Sequence, residues 1–311
     1  MTISMTQAIL ATISYRGIFD YPLTHEEVYD WLIKLTGKKE FDSALATLIR
    51  TKKVCSAFLD EKRWIIPAVN TKTILQRKRR AIFSRAKWTR ARVVSRLLSL
   101  VATVSFVGVT GGLSVHNVDE SDDIDFFLIV EPGALWVSRF CVVLVTEFFG
   151  VRRRPGAVNV KDTICLNFFL TKDHLSLEAA DRDLFSAYEV LQCVPLYDRG
   201  GVYKEFLEAN SWVKDFLPNA WKRKNDEWRM TNVEWGKEKL AIGMSLVLLK
   251  LFEYPVKIFQ MWYMRKRRTT EIVTDTILRF HPRDMRGIVK KKLTRRLKRY
   301  KIPLDTIFYS G

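Results

Sequence analysis

The sequence predicts an α+β fold. A small mixed sheet with flanking helices is preceded by a helical module closed by a hairpin and followed by a helical, basic C-terminal region. Three observations support this. Apolar spacing is helical through about residue 50, becomes strand-like at 101–109, 124–130 and 163–170, and turns helical again after 178. The strand-like runs alternate with helical stretches, so helices should cover the sheet. Hydrophobic residues make up 48% of the 311, enough for a packed core and too many for a disordered chain. The divisions fall at 1–70, 71–178 and 179–311.

Taken in order, a first helix covers roughly 4–15. Thr24 opens a second: Thr24 and Glu27 are spaced as a capping box, and Leu23 with Val28 as a hydrophobic staple. Val28, Trp31, Leu32 and Leu35 then fall on one face expected to be buried. Phe41, Leu45, Leu48 and Ile49 form a similar stripe on a third helix. Two strand-like runs follow at 54–58 and 63–67, and the alternation of Val54, Ser56 and Phe58 predicts a hairpin. Three helices followed by a hairpin resemble a winged helix, whose third helix would read a DNA groove. Here that helix begins with Glu40 and Asp42, and its basic residues, Arg50, Lys52 and Lys53, come only at its end. The hairpin mixes Lys62 and Arg63 with Asp60 and Glu61. DNA binding and a packing module of the same shape both remain open.

Residues 72–96 contain ten Lys or Arg and no acid. Interleaved apolar residues make this a helix, either a solvated connector or a phosphate-facing surface. Residues 265–301 hold fifteen Lys or Arg against Glu271, Asp275 and Asp284. With a net charge of +18 and a pI near 9.8, the chain favours anionic partners: nucleotides, nucleic acid or an acidic membrane surface. Later helices are expected near 179–193, 201–216, 235–263 and 283–300, with Pro255 kinking or splitting the long one. The apolar segments 134–149 and 240–264 are interrupted by charge, and neither reaches about 18 uninterrupted apolar residues, so neither reads as a spanning helix. They read as core helices. The second, followed by the basic cluster 265–268, leaves peripheral membrane contact open.

No two of the four cysteines form a CxxC pair and the four histidines are scattered, which argues against a zinc site. Cys141, Cys165 and Cys193 lie in apolar surroundings and read as buried thiols. With no signal-peptide pattern at the start, a cytoplasmic location is expected.

The chemistry concentrates in 109–127. Gly111 and Gly112 end one strand; ten residues later Asp123, Ile124, Asp125 and Phe126 open the next. Residues i and i+2 of a strand share a face, so Asp123 and Asp125 project side by side. Two such carboxylates repel unless a cation joins them, and a hard divalent ion such as Mg2+ takes oxygen ligands and completes its shell with phosphates. The Gly-Gly turn lets backbone N–H groups face a phosphate, and Ser114 offers a hydroxyl. The competing reading is a solvated acidic turn, which suits Asp119, Glu120 and Asp122. His116 reads as an exposed loop residue, His174 as structural, and His281 lacks the partners of a triad. Trp221, Trp228, Trp235 and Trp262 suit a core better than base stacking.

The pattern Gly111-Gly112, ten residues, Asp123-Ile124-Asp125-Phe126 resembles the nucleotidyltransferase superfamily, which includes DNA polymerase beta and CCA-adding enzymes. The match covers 60–70 residues. Thr110 is less apolar than the motif prefers. A winged-helix-like module before such a core also resembles bacterial and archaeal nucleotidyltransferase-domain proteins. The resemblance implies that Asp123 and Asp125 bind Mg2+, or Mn2+, holding a nucleoside triphosphate. A hydroxyl acceptor of unknown identity then takes the nucleotidyl group and pyrophosphate leaves. Family members add a third carboxylate from a later strand. Here that position is Asn167, or else Cys165, and an amide carries no charge and cannot act as a base. Asp162 and Asp173 only flank the strand. The implied alternatives are a transferase with a weakened second metal position and a non-catalytic nucleotide- or nucleic-acid-binding regulatory protein that keeps the fold. The basic stretches 72–96 and 265–301 favour a polyanionic acceptor.

Overall fold

The computed structural model describes residues 3–66, 71–230, 249–265, 272–280 and 285–309. Helix α1 (Met5–Gly17) starts at a capping box in which the Ser4 hydroxyl accepts from the Gln7 N–H and the Gln7 side chain accepts from the Ser4 N–H. Strand β1 (Leu23–Thr24) leads into α2 (His25–Asp30) through the expected box: Glu27 N–H donates to Thr24 Oγ1 at 3.3 Å and Thr24 N–H to Glu27 Oε2 at 2.8 Å. Leu23, Val28, Trp31 and Leu32 are buried, but Leu35 is 68% exposed. The helix ends at Asp30, so Leu35 no longer follows the helical spacing that would have turned it inward. In α3 (Lys38–Arg50), Phe41, Leu45 and Leu48 are buried as expected.

Strands β2 (Cys55–Leu59) and β3 (Lys62–Ile66) form the hairpin, and β1 pairs with the other edge of β3. Its two-residue turn places Asp60 and Glu61 at φ 51° and 59°, the left-handed pair that twists a tight hairpin correctly.

Helix α4 (Thr71–Leu98) joins this module to the central sheet. The Arg77 guanidinium of this helix fastens it to the module, donating to the Glu27 carboxylate and the Pro22 carbonyl. The central sheet has six strands: β4 (Val104–Val109), β5 (Ile124–Val130), β6 (Ile164–Thr171), β7 (Val194–Asp198), β8 (Ile272–Val273) and β9 (Ile277–Arg279), in the order β7-β4-β5-β6-β9-β8. Only β5 and β6 run parallel, joined by the crossover helix α6 (Leu135–Phe148); the other neighbours are antiparallel. A short helical turn, α5 (Gly111–Ser114), follows β4.

After 178 the chain is not uniformly helical, as the spacing suggested. Helices α7 (Leu184–Gln192), α8 (Val202–Ala209), α9 (Pro218–Met230), α10 (Glu253–Met264), α11 (Met285–Lys298) and α12 (Asp305–Phe308) are interrupted by β7, β8 and β9. These strands have two to five residues, too few to display a period, and they exist because β4 and β6 present edges for them. Pro255 lies in the first turn of α10, where a missing N–H is harmless, so the chain breaks at Phe252 instead of kinking. Glu253 accepts from the Trp136 and Val137 N–H groups at 2.8 and 2.9 Å, capping α6 from a neighbouring helix.

Both faces of the central sheet are buried. Ile124, Phe126, Leu128 and Val130 pack with α4 and α6 residues, whereas Phe106, Phe127 and Ile129 pack with α7, α8 and the N-terminal module. Val289, Leu293 and Leu297 of α11 join the second core. Helix α10 is less of a core helix than its composition suggested: Tyr254, Phe259 and Trp262 are exposed. Trp221 packs against the core. The Trp228 side chain, Trp235, His281 and the basic positions 266–268 lie outside the described residues. Among the described residues, no helix is long and apolar enough to cross a membrane.

Candidate functional site

The site forms where β4 ends, β5 begins and β6 runs alongside. Thr110 N–H donates to the Asp125 carbonyl at 3.1 Å, and Ile124 N–H to the Thr163 carbonyl at 2.8 Å, which fixes the start of β5 between its neighbours. Ile124 and Phe126 point into one core; Asp123 and Asp125 lie on the other face, half-buried. That is the face covered further along by α7 and α8.

Gly111 stands directly over Asp125. Its φ is +63°, and a Cβ placed there would fall 2.7 Å from Asp125 Oδ2. Glycine is required for both reasons: the left-handed backbone and the close approach of a carboxylate. Gly112 is restricted by space alone, since its Cβ would meet the Asn117 carbonyl at 2.8 Å. Ser114 donates its hydroxyl to the Gly111 carbonyl at 2.7 Å, so that proton closes the turn and is not free for a phosphate.

Across the parallel ladder, Asp125 is in register with Cys165, which places the thiol on the same face. One residue later the register shifts, leaving Asn167 as the extra residue of a bulge in β6. Asn167 Nδ2 donates to Asp125 Oδ1 at 2.8 Å. Its Oδ1 is buried and has no hydrogen-bond partner among the described residues. One oxygen from each of Asp123 and Asp125 and the Cys165 sulfur lie within 4.8 Å of one another. Among the described residues these three groups are the ones able to hold a cation here.

Arg153 is a participant that sequence spacing did not single out. It extends the β6 edge, its N–H donating to the Ile164 carbonyl at 2.9 Å. Its Nη1 donates to Asp123 Oδ2 at 2.6 Å and reaches the Cys165 sulfur at 3.6 Å. The other is Glu189 on α7, a lone acid in the apolar run Leu184–Gln192. Burial pushes the Glu189 carboxyl up to about 7. Asp125 is likewise pushed up to about 7, first by burial, then by Asp123 and then by Glu189, with Arg153 opposing. Burial and the two aspartates also push the Cys165 thiol far upward. The only sequence signal for either residue was a charge in an otherwise apolar helix and the Arg152-Arg153-Arg154 run.

Neighbouring candidates have structural roles. His116 is half-buried rather than exposed. It adopts φ +55° and accepts from Trp88 Nε1 at 3.2 Å, and burial lowers its pKa. His174 is exposed in the turn after β6. Asp162 pairs with Lys87 at 2.7 Å. All four cysteines are free; Cys193 is fully buried and Cys141 and Cys165 are half-buried. Along α4, Arg77, Lys78, Arg80 and Lys87 are committed to ion pairs, while Arg79, Arg85, Arg90, Arg92 and Arg96 are exposed.

No known protein-family model matches this chain, and no curated protein matches it significantly.

Proposed function

We propose that the chain is a divalent-cation-dependent nucleotidyltransferase that moves a nucleotidyl group from a nucleoside triphosphate to a hydroxyl acceptor. The observation that supports this best is Gly111 pressed against Asp125, with Asp123 on the same strand face. A side-chain-free turn beside paired carboxylates suits a phosphate bridged to the protein by a cation. Asp123 and Asp125 would hold Mg2+ or Mn2+. When bound, such an ion neutralises the triphosphate and polarises the phosphoryl group under attack. The chain's own part is to fix the geometry. Asn167 orients Asp125 through its amide, and the Gly111–Gly112 turn leaves the approach clear. Arg153 neutralises Asp123 until the ion and nucleotide arrive. The exposed arginines of α4 suit a polyanionic acceptor.

A second reading is supported by one observation. The β6 position expected to carry a third carboxylate is Asn167, which cannot accept a proton as a base. On that reading the protein binds a nucleotide or nucleic acid without turnover. Calorimetric titration of ATP, GTP, CTP and UTP with Mg2+ and with Mn2+ tests both. Binding that disappears in the Asp123→Ala/Asp125→Ala variant is expected. Binding that survives in that variant sinks the placement of the site. Metal-dependent binding with no transfer to any acceptor tried favours the second reading.

A further inference from the structure

We infer that Cys165 is a metal ligand, and that the ion position between β5 and β6 takes a thiophilic divalent cation, of the Zn2+ kind, in preference to Mg2+. This rests on the reading of Asp123 and Asp125 as a cation-binding pair and names the class of ion. Mg2+ demands an octahedral shell of oxygens, whereas a thiolate among the ligands selects softer ions.

Four observations converge. The ladder sets Cys165 directly beside Asp125, and its sulfur lies within 4.8 Å of a carboxylate oxygen of both aspartates. In a tetrahedral site with bonds of about 2.0–2.3 Å, ligand atoms stand roughly 3.5 Å apart, so small side-chain rotations close this set. A cation already bridges two of the three groups, because Arg153 Nη1 contacts both Asp123 Oδ2 and Cys165 Sγ. The Asn167 side chain is only 7% exposed and held against Asp125, yet its Oδ1 is left without a partner among the described residues. A buried acceptor left so is stabilised by any donor or cation that reaches it. Finally, Cys165 differs from the other thiols. Cys193 is buried beside Gly108, Cys141 lies on α6 among apolar neighbours and Cys55 lies in the hairpin; among the described residues none of the three belongs to a ligand cluster.

Binding would exchange one cation for another. The Arg153 side chain is about one-third exposed and can swing into solvent. A thiol that binds a metal gives up its proton, here to solvent, as the metal–sulfur bond forms.

The test uses the full chain, reduced and stripped of metal, titrated with Cd2+ as a spectroscopic probe and followed by the thiolate-to-metal absorption band. Zn2+, Mn2+ and Mg2+ then compete for the bound Cd2+. One saturating equivalent is expected in the wild type and in Cys141→Ser. The band should vanish in Cys165→Ser, and Asp125→Asn should weaken binding at least tenfold. Arg153→Gln, which removes the competing cation, should tighten binding several-fold. Zn2+ should displace Cd2+ at concentrations at which Mn2+ and Mg2+ do not. A band that persists in Cys165→Ser overturns the inference, as does Mg2+ competing as well as Zn2+. If Cys165→Ser melts early, the Arg153→Gln arm decides, since unchanged or weaker Cd2+ binding there also overturns it. The nucleotide reading fails separately: the Cd2+ band would be intact while no triphosphate binds.

Discussion

Two groups of carboxylates stand side by side in this chain and meet opposite environments. In the loop 117–122, each acid has a partner. Arg80 holds Asp119 with two donors at 3.1 and 3.0 Å, Lys161 pairs with Glu120 at 2.6 Å, and Asp122 accepts the Asp119 N–H at 2.7 Å. The Lys161 contact pulls the Glu120 carboxyl below its usual range. Three residues later, at the start of β5, Asp125 faces burial and like charge, and its carboxyl is pushed up to about 7. Glu120 is thus held ionised by its surroundings, whereas Asp125 is held in a position where ionisation is unfavourable without a cation. One acidic run therefore meets two environments. The loop carboxylates staple the turn to α4 and the segment before β6, whereas Asp125 is buried against like charge with Arg153 opposing it.

That contrast can be broken or sharpened by substitution. The largest stability effect should come from Lys87→Ala. Lys87 is 2% exposed and donates to the Glu120 and Asp122 carbonyls and to Asp162. Its loss leaves those acceptors unpaired and should cost about 3 kcal/mol, read from urea denaturation. An effect under about 1 kcal/mol would mean the loop is not held as described. Gly111→Ala comes next: left-handed backbone strain alone costs roughly 1–2 kcal/mol. Because the new Cβ collides with Asp125, divalent-metal affinity should fall with it; unchanged metal binding would remove Gly111 from the site.

A smaller effect is expected in the pH dependence of stability, measured on chelated, metal-free protein. The folded-state pKa of Asp125 is raised to about 7, above the unfolded value of about 3.9. Folded protein then retains a proton that the unfolded chain has released. The resulting stabilisation is full below about pH 4 and is lost as pH rises through about 7. Asp125→Asn lacks this slope. The difference in melting temperature between variant and wild type should therefore widen across that window, and a flat difference contradicts the assignment. Asp198 titrates the same way in both proteins and cancels, whereas Glu189 is coupled to Asp125, so the comparison is made in a Glu189→Gln background. Smallest of all, Asp119→Asn should change stability by less than about 0.5 kcal/mol, because that side chain is 52% exposed.

The legible parts of the fold were those written in local spacing. Thr24 and Glu27 are three residues apart and make their capping box whatever else the chain does. The run 124–130 is a strand at the expected positions, and 72–96 lies within α4. Leu35 was misplaced because periodicity does not show where a helix stops. Strands β7, β8 and β9 were invisible because a strand of two to five residues has no pattern of its own and forms only against an existing edge. At the site, Asp123, Asp125 and the two glycines could be picked out from their spacing. Arg153 and Glu189 could not, since their neighbours in space are far away in sequence.

The sequence by itself determined an α+β chain with a helical module ending in a hairpin, a strand pair bearing two aspartates on one face, and a strongly basic character. These follow from side-chain chemistry and from periods of two and 3.6 residues, which a linear reading can detect. The tertiary structure decided the rest. It set Cys165 rather than a carboxylate beside Asp125, turned Asn167 through a bulge, laid Arg153 across the pair and brought α7 over the same face. The physical reason is that ladder register and face burial are set by packing among segments distant along the chain, and no local run of residues records that packing.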